Sequence, residues 1–196
     1  MTQTQLPHSA IKHVPNVLTV IRLILVPVFL AILFVGPHEQ NWRIGATVLF
    51  IVAVLTDLFD GKIARRYNVV SDFGKIWDPI ADKAITGAAF IGLSILGELP
   101  WWVTVLILVR EWGITWMRVV MLKYKVMAAA AGGKLKTFLQ CVALSMFLLY
   151  LPAFPDWFGW IAWAIMFAAF ALTVITGLMY VRDALRLKTQ AQREQA

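Results

Sequence analysis

Four aspartates, Asp57, Asp60, Asp78 and Asp82, fall within 26 residues of a chain in which only 15% of residues are charged. Asp57 and Asp60 are three apart and Asp78 and Asp82 four apart, so on helices each pair shares a face. A short connection makes such helices antiparallel neighbours and lets both pairs point into one space. Two carboxylates about 4 Å apart repel by about 4 kcal/mol at an effective dielectric of 20, and an intramembrane charge costs a further 2.5–3.5 kcal/mol or about that. A cation must therefore sit among them. Oxygen ligands without Cys or His favour Mg²⁺, Mn²⁺ or Ca²⁺, and Mg²⁺ is the usual choice where phosphate oxygens complete the shell. Simple helix capping fits Ser71-Asp72, but not the paired spacing of the other four. Gly61 and Ala64 leave a helix surface with little side chain beside Asp60, suited to a flat ligand or to another backbone. Pro79, next to Asp78, frees a carbonyl one turn earlier and can bend the helix there.

The elements that carry these residues follow from composition. Of the 196 residues, 60% are hydrophobic, and the mean hydropathy is +0.74. A water-soluble fold of that composition would lack polar surface to cover itself, so the chain is read as a membrane protein. A lone Cys141 excludes a disulfide scaffold and the apolar content excludes disorder. A hydrocarbon core of about 30 Å needs roughly 20 apolar residues per helix. Six runs meet that length: Val17–Gly36, Ile44–Ala64, Gly74–Leu96, Trp101–Leu122, Leu135–Leu151 and Phe158–Val181. They predict an all-α polytopic protein of six transmembrane helices in a single membrane domain over residues 1–196, with short connections. Pro7 to Val14 predicts a short amphipathic juxtamembrane helix before the first span. The tail after Val181 is polar and is expected to fray. The first span is too long for a signal-peptide core and is read as retained.

The formal charge of +7 is distributed by side rather than spread as a nucleic-acid footprint. Lys12, then Lys62, Arg65, Arg66 and Lys75, then Lys123, Lys125, Lys134 and Lys136, then Arg182, Arg186, Lys188 and Arg193 fall at one face; the opposite connections carry only Arg43. The positive-inside bias puts both termini and the aspartates on the cytoplasmic side of the cell (inner) membrane. Trp42, Trp101, Trp102, Trp157 and Trp160 fall near the other face, where an aromatic belt sits.

Read as it stands, Asp57-Leu-Phe-Asp60-Gly61-Lys-Ile-Ala64-Arg65, eight residues, then Gly74-Lys-Ile-Trp-Asp78-Pro-Ile-Ala-Asp82 resembles the signature of the CDP-alcohol phosphatidyltransferases. That family has a six-helix membrane core with this signature across its second and third helices. The resemblance implies displacement of CMP from a CDP-linked lipid by an alcohol hydroxyl, with the aspartates holding one or two divalent ions, Mg²⁺ or Mn²⁺. On that basis Asp57, Asp60 and Asp78 are metal ligands. Asp82 is the base that takes the proton from the attacking alcohol, or a fourth ligand. Arg65, one residue past Ala64, can pair with a phosphate of the CDP group. Gly61, Ala64 and Gly74 line the nucleotide's approach. A homodimer is typical of the family.

Other residues bear on the acceptor. The opening Pro15-Asn16-Val-Leu-Thr19-Val-Ile-Arg22, followed by Pro27, resembles the glycerol-phosphate-using branch. Arg22 is a charge inside an apolar span and a functional candidate on that ground; Asn16 and Thr19 either cap the helix or donate to the nucleotide. The fourth span carries Arg110-Glu111, which could simply pair, and Arg118. The fifth opens on Gly132-Gly133-Lys134-Leu-Lys136-Thr137, with Gln140 one turn beyond Lys136, and resembles a segment of the same branch. Lysines there suit a phosphate-bearing acceptor, or anionic lipid without specificity. Arg110, Arg118, Lys134 and Lys136 are thus the expected anchors for the phosphate of glycerol 3-phosphate. The expected reaction is CDP-diacylglycerol plus glycerol 3-phosphate giving phosphatidylglycerophosphate and CMP.

His8, His13 and His38 lie outside the spans, Cys141 has no partner nearby, and Thr56 is the only hydroxyl adjacent to the aspartates. Direct attack by the acceptor is therefore simpler than a covalent intermediate. Serine, inositol phosphate or an existing phospholipid would be served by the same chemistry. A small cation or proton transporter would also use intramembrane carboxylates, although no inverted repeat accompanies them.

Overall fold

In a computed structural model the chain is helical, and no strand occurs among the described residues. Backbone is described for residues 8–67, 72–121 and 132–194; side-chain surroundings are described within residues 20–56, 83–117 and 133–183 and at 80, 185 and 186. Among the described residues six α-helices run α1 His8–Val35, α2 Gln40–Tyr67, α3 Asp72–Ile95, α4 Trp101–Met121, α5 Gly132–Leu148 and α6 Asp156–Glu194, with a short 3-10 turn at Leu151–Ala153. They coincide in order and approximate position with the six apolar runs.

Two helix ends differ from the sequence reading. The amphipathic segment expected ahead of the first span is continuous with it, since α1 starts at His8. Pro15 removes one N–H donor, yet its fixed φ is compatible with a helix. The tail expected to fray after Val181 is helical to Glu194. It contains no Gly or Pro, and its Ala, Leu, Arg, Lys, Gln and Glu residues are strong helix formers.

Among the described residues one stretch, Asp156–Asp183, is long and apolar enough to cross a membrane. Shorter apolar helical stretches are Val20–Val35, Gln40–Thr56 and Lys83–Ile95.

The chain forms two compact units. The first comprises Met1–Gly92 with Leu148–Tyr150. In it α1 packs along α2, with Phe29 and Phe50 rings 6.1 Å apart. Phe29, Leu33, Ala46, Phe50, Ala53 and Ala89 are fully or almost fully buried. Gly92 of α3 admits close approach of α1: a Cβ there would lie 2.7 Å from a Leu33 methyl. Gly36 ends α1 beneath Trp42, whose ring would stand 2.3 Å from an added Cβ.

Arg43 is completely buried in this unit. Its Nε donates to Leu148 O at 2.9 Å and its Nη1 to Pro37 O at 3.2 Å, while its guanidinium carbon lies 5.5 Å from the Tyr150 ring centroid. Tyr150 has φ 64°, the left-handed conformation that commonly follows a helix C-terminus. A side chain read from sequence as a topology charge thus satisfies carbonyls left over at a helix end and in a turn.

The second unit comprises Leu93–Phe147 and Leu151–Ala196. Within it α4 packs on α6, where Trp102 meets Phe170 edge-on at 5.4 Å, and Phe147 of α5 meets Trp163 of α6 at 5.0 Å. The turn from α3 to α4 has a specific geometry: Gly97 N–H bonds Ser94 O, Glu98 N–H bonds Leu93 O, and Gly97 takes φ 74°. Such a pairing closes a helix with a left-handed glycine. Ser94 and Thr104 hydroxyls share a 2.7 Å bond across that turn.

Much of the surface is apolar. Val105, Leu106, Val109, Trp112 and Trp116 of α4 and Ile175, Leu178 and Met179 of α6 are exposed. So are the five tryptophans assigned to the belt, Trp42, Trp101, Trp102, Trp157 and Trp160. Faces of this kind suit hydrocarbon rather than water.

Candidate active site

The aspartate signature lies on two helices of the first unit. Because α2 is helical without interruption to Tyr67, Asp57, Asp60, Gly61, Ala64 and Arg65 recur at i, i+3, i+4, i+7 and i+8 and share one face. Because α3 is helical from Asp72, Gly74, Asp78 and Asp82 recur every four residues and share another. Helical spacing at both pairs is thus established. The side chains of these residues, and those of Asn16, Thr19 and Arg118, lie outside the described residues. The donor set is four carboxylates in two helical pairs, the chemistry that a hard divalent ion takes. Arg22 of α1 is 6% exposed and is not without a partner.

A polar cluster occupies the second unit, among α4, α5 and α6. Glu111 Oε1 accepts from Arg110 Nη1 at 3.1 Å and from the Lys136 ammonium. Lys136 is 3% exposed, so its ammonium has left water and depends on that carboxylate and its other contacts. The pairing of Arg110 with Glu111 was open from sequence; the reach of Lys136 to Glu111, 25 positions away, was not visible there. Arg110 Nη2 donates to Thr176 Oγ1 at 2.6 Å, and Thr176 in turn donates to Leu172 O. Gln140, one turn past Lys136, is buried and donates to Thr173 Oγ1 at 3.2 Å. Arg110 Nε is buried and has no hydrogen-bond partner among the described residues. Leaving such a donor unmade costs about 1–3 kcal/mol.

Of the four residues expected to hold the acceptor phosphate, Arg110 and Lys136 come together on Glu111, while Lys134 is exposed at the start of α5. Thr137, next to Lys136, is exposed and bonds back to Gly133 O at 3.1 Å. The sequence reading missed Thr173, Thr176 and Gly177. A signal was present, since two hydroxyls and a glycine at i, i+3 and i+4 within an apolar stretch are what helix packing through polar contacts uses.

Comparison with known proteins agrees with the signature. The family model for CDP-alcohol phosphatidyltransferase matches residues 12–175. A probable phosphatidylglycerophosphate synthase of Mycobacterium tuberculosis is 50% identical over 179 residues, which cover 91% of this chain and 84% of that protein. A CDP-diacylglycerol-glycerol-3-phosphate 3-phosphatidyltransferase of Rickettsia typhi is 38% identical over 183 residues, covering 87% and 96%. One of the same name from Bacillus subtilis is 35% identical over 180 residues, covering 86% and 93%. With the aspartate pairs on successive helices of a chain that is helical among its described residues, and a family match over most of its length, this chain belongs to the CDP-alcohol phosphatidyltransferase family.

Proposed function

We propose that this protein transfers the phosphatidyl group of CDP-diacylglycerol to a hydroxyl of glycerol 3-phosphate, giving phosphatidylglycerophosphate and CMP. The observation that carries the reading is the intact signature, at helical spacing on α2 and α3, in a chain that its relatives match nearly end to end.

Asp57, Asp60 and Asp78 would hold a divalent ion, Mg²⁺ or Mn²⁺. When bound, such an ion neutralises the charge that develops on the diphosphate as CMP leaves. Asp82 takes the proton from the acceptor hydroxyl, so the bond to phosphorus forms as the bond to CMP breaks. Arg65 pairs with a phosphate of the nucleotide, Gly61, Ala64 and Gly74 leave room for it, and Asn16, Thr19 and Arg22 contribute from α1. Arg110, Lys136, Lys134 and Arg118 hold the acceptor's phosphate. Arg110 and Lys136 share the single carboxylate of Glu111, so these three side chains carry a net positive charge, which supports an acceptor bearing a phosphate.

We read the six helices as six spans in the cell membrane, with both termini and the aspartates cytoplasmic and the chain paired as a homodimer among membrane lipids. The charge bias of the connections and the apolar exposed faces support this arrangement. The test is purified protein in detergent with CDP-diacylglycerol, Mg²⁺ and radiolabelled glycerol 3-phosphate. Label should pass into the lipid extract; folded protein that leaves all label in the aqueous phase refutes the reading. A cation transporter would instead carry ions into liposomes without any nucleotide.

A further inference from the structure

Arg110 is held more tightly than a phosphate ligand on one helix would need to be. Three constraints fix its rotamer. Glu111 takes one N–H of Nη1, Thr176 takes one of Nη2, and the stem lies over Gly177 of α6. A Cβ at Gly177 would stand 3.2 Å from Arg110 Cγ and 3.4 Å from Nε, so the glycine is a notch into which the side chain fits. The Thr176 hydroxyl is itself held, because its proton faces the α6 backbone, with Leu172 O at 2.6 Å and Thr173 O at 3.3 Å, and its oxygen accepts from the guanidinium. Of the five N–H donors of an arginine, two are engaged in these contacts. The plane and direction of the remainder are set from α6.

We propose that Thr176 and Gly177 are positioning residues for the Arg110 guanidinium, and that through them α6 sets how tightly the acceptor's phosphate is held. This rests on the assignment of Arg110 to that phosphate. A flexible arginine would bind an anion after losing rotamer freedom; one already locked by a hydroxyl, a carboxylate and a backbone notch has lost it in advance. Thr176 and Gly177 touch no reacting atom in this scheme, so their removal acts on acceptor affinity rather than on the chemical step.

The experiment is initial-rate kinetics on the full-length protein in detergent, varying glycerol 3-phosphate and CDP-diacylglycerol separately. Thr176→Val should raise KM for glycerol 3-phosphate by about tenfold, the scale of a lost hydrogen bond to a charged group. KM for CDP-diacylglycerol and kcat at saturating acceptor should stay within about twofold of wild type. Thr176→Ser should restore the acceptor KM. In an Arg110→Ala background, Thr176→Val should add no further loss, because the hydroxyl acts only through the missing guanidinium. Gly177→Ala supplies an independent reading if the valine variant does not fold, and should also raise the acceptor KM selectively. A wild-type acceptor KM in Thr176→Val or Gly177→Ala, or additive losses in the double variant, overturns the proposal while leaving Arg110 as a phosphate ligand. A wild-type acceptor KM in Arg110→Ala overturns both.

Discussion

A buried cation in an apolar bundle needs an anion or a set of oxygens within reach, and Lys136 and Arg43 solve that problem differently. Lys136 uses a carboxylate, while Arg43 uses two carbonyls and the face of a tyrosine. Glu111→Gln removes the charge that Lys136 and Arg110 share, so it should lower thermal stability in detergent, by about 1–3 kcal/mol in free energy. An unchanged melting temperature would show that other contacts carry those cations. Asp82→Asn keeps the size of the side chain but cannot accept the hydroxyl proton. It should cut turnover by about 10²–10⁴-fold with little change in melting temperature. Turnover near wild type would remove Asp82 from the role of base. At this scale the helical spacing of the aspartates was legible because it is local. Thr176, Gly177 and the burial of Arg43 were not, because each depends on a contact more than 60 positions away.

Helix ends decide where these side chains stand. Gly97 ends α3 in a left-handed conformation that a Cβ disfavours, with nothing within 4 Å to add a steric cost. Gly97→Ala should therefore destabilise by about 1–2 kcal/mol through backbone strain alone, measured as a drop in unfolding midpoint with acceptor KM unchanged. Arg43→Leu should cost more, about 2–3 kcal/mol, because it leaves the buried Leu148 O unpaired and removes the donor to Pro37 O. A loss smaller than that of Gly97→Ala would show that those carbonyls find other donors. The helices themselves were legible from runs of apolar residues broken by Gly, Pro and charge. The ends of α1 and α6 were not, because polarity by itself suggests a separate or frayed segment. Polar residues of high helix propensity continue a helix as readily as apolar ones do, and α6 consequently runs 39 residues.

For the molecule as a whole, the +7 charge gathers at one end of the proposed spans. Six spans with cytoplasmic termini put Glu98, between α3 and α4, outside the cell and Arg186, near the end of α6, inside. In a Cys141→Ser background, an impermeant thiol reagent applied to intact cells should label Glu98→Cys and spare Arg186→Cys, and inverted vesicles should reverse the pattern. Labelling of both positions from one side would contradict an odd number of crossings between them. The proposed topology is argued from charge asymmetry, which is read directly from composition along the chain. The arrangement of α4, α5 and α6 around Glu111 depends on packing that no local pattern encodes.

The central claim is a phosphatidyl transfer whose acceptor carries a phosphate and whose machinery needs a divalent ion. It is tested most directly by CMP release from CDP-diacylglycerol in proteoliposomes, offered in turn glycerol 3-phosphate, serine and inositol phosphate, with Mg²⁺ or with excess chelator. The account predicts release with glycerol 3-phosphate alone and only when Mg²⁺ is present. Release with serine or inositol phosphate, or full release in chelator, would contradict it.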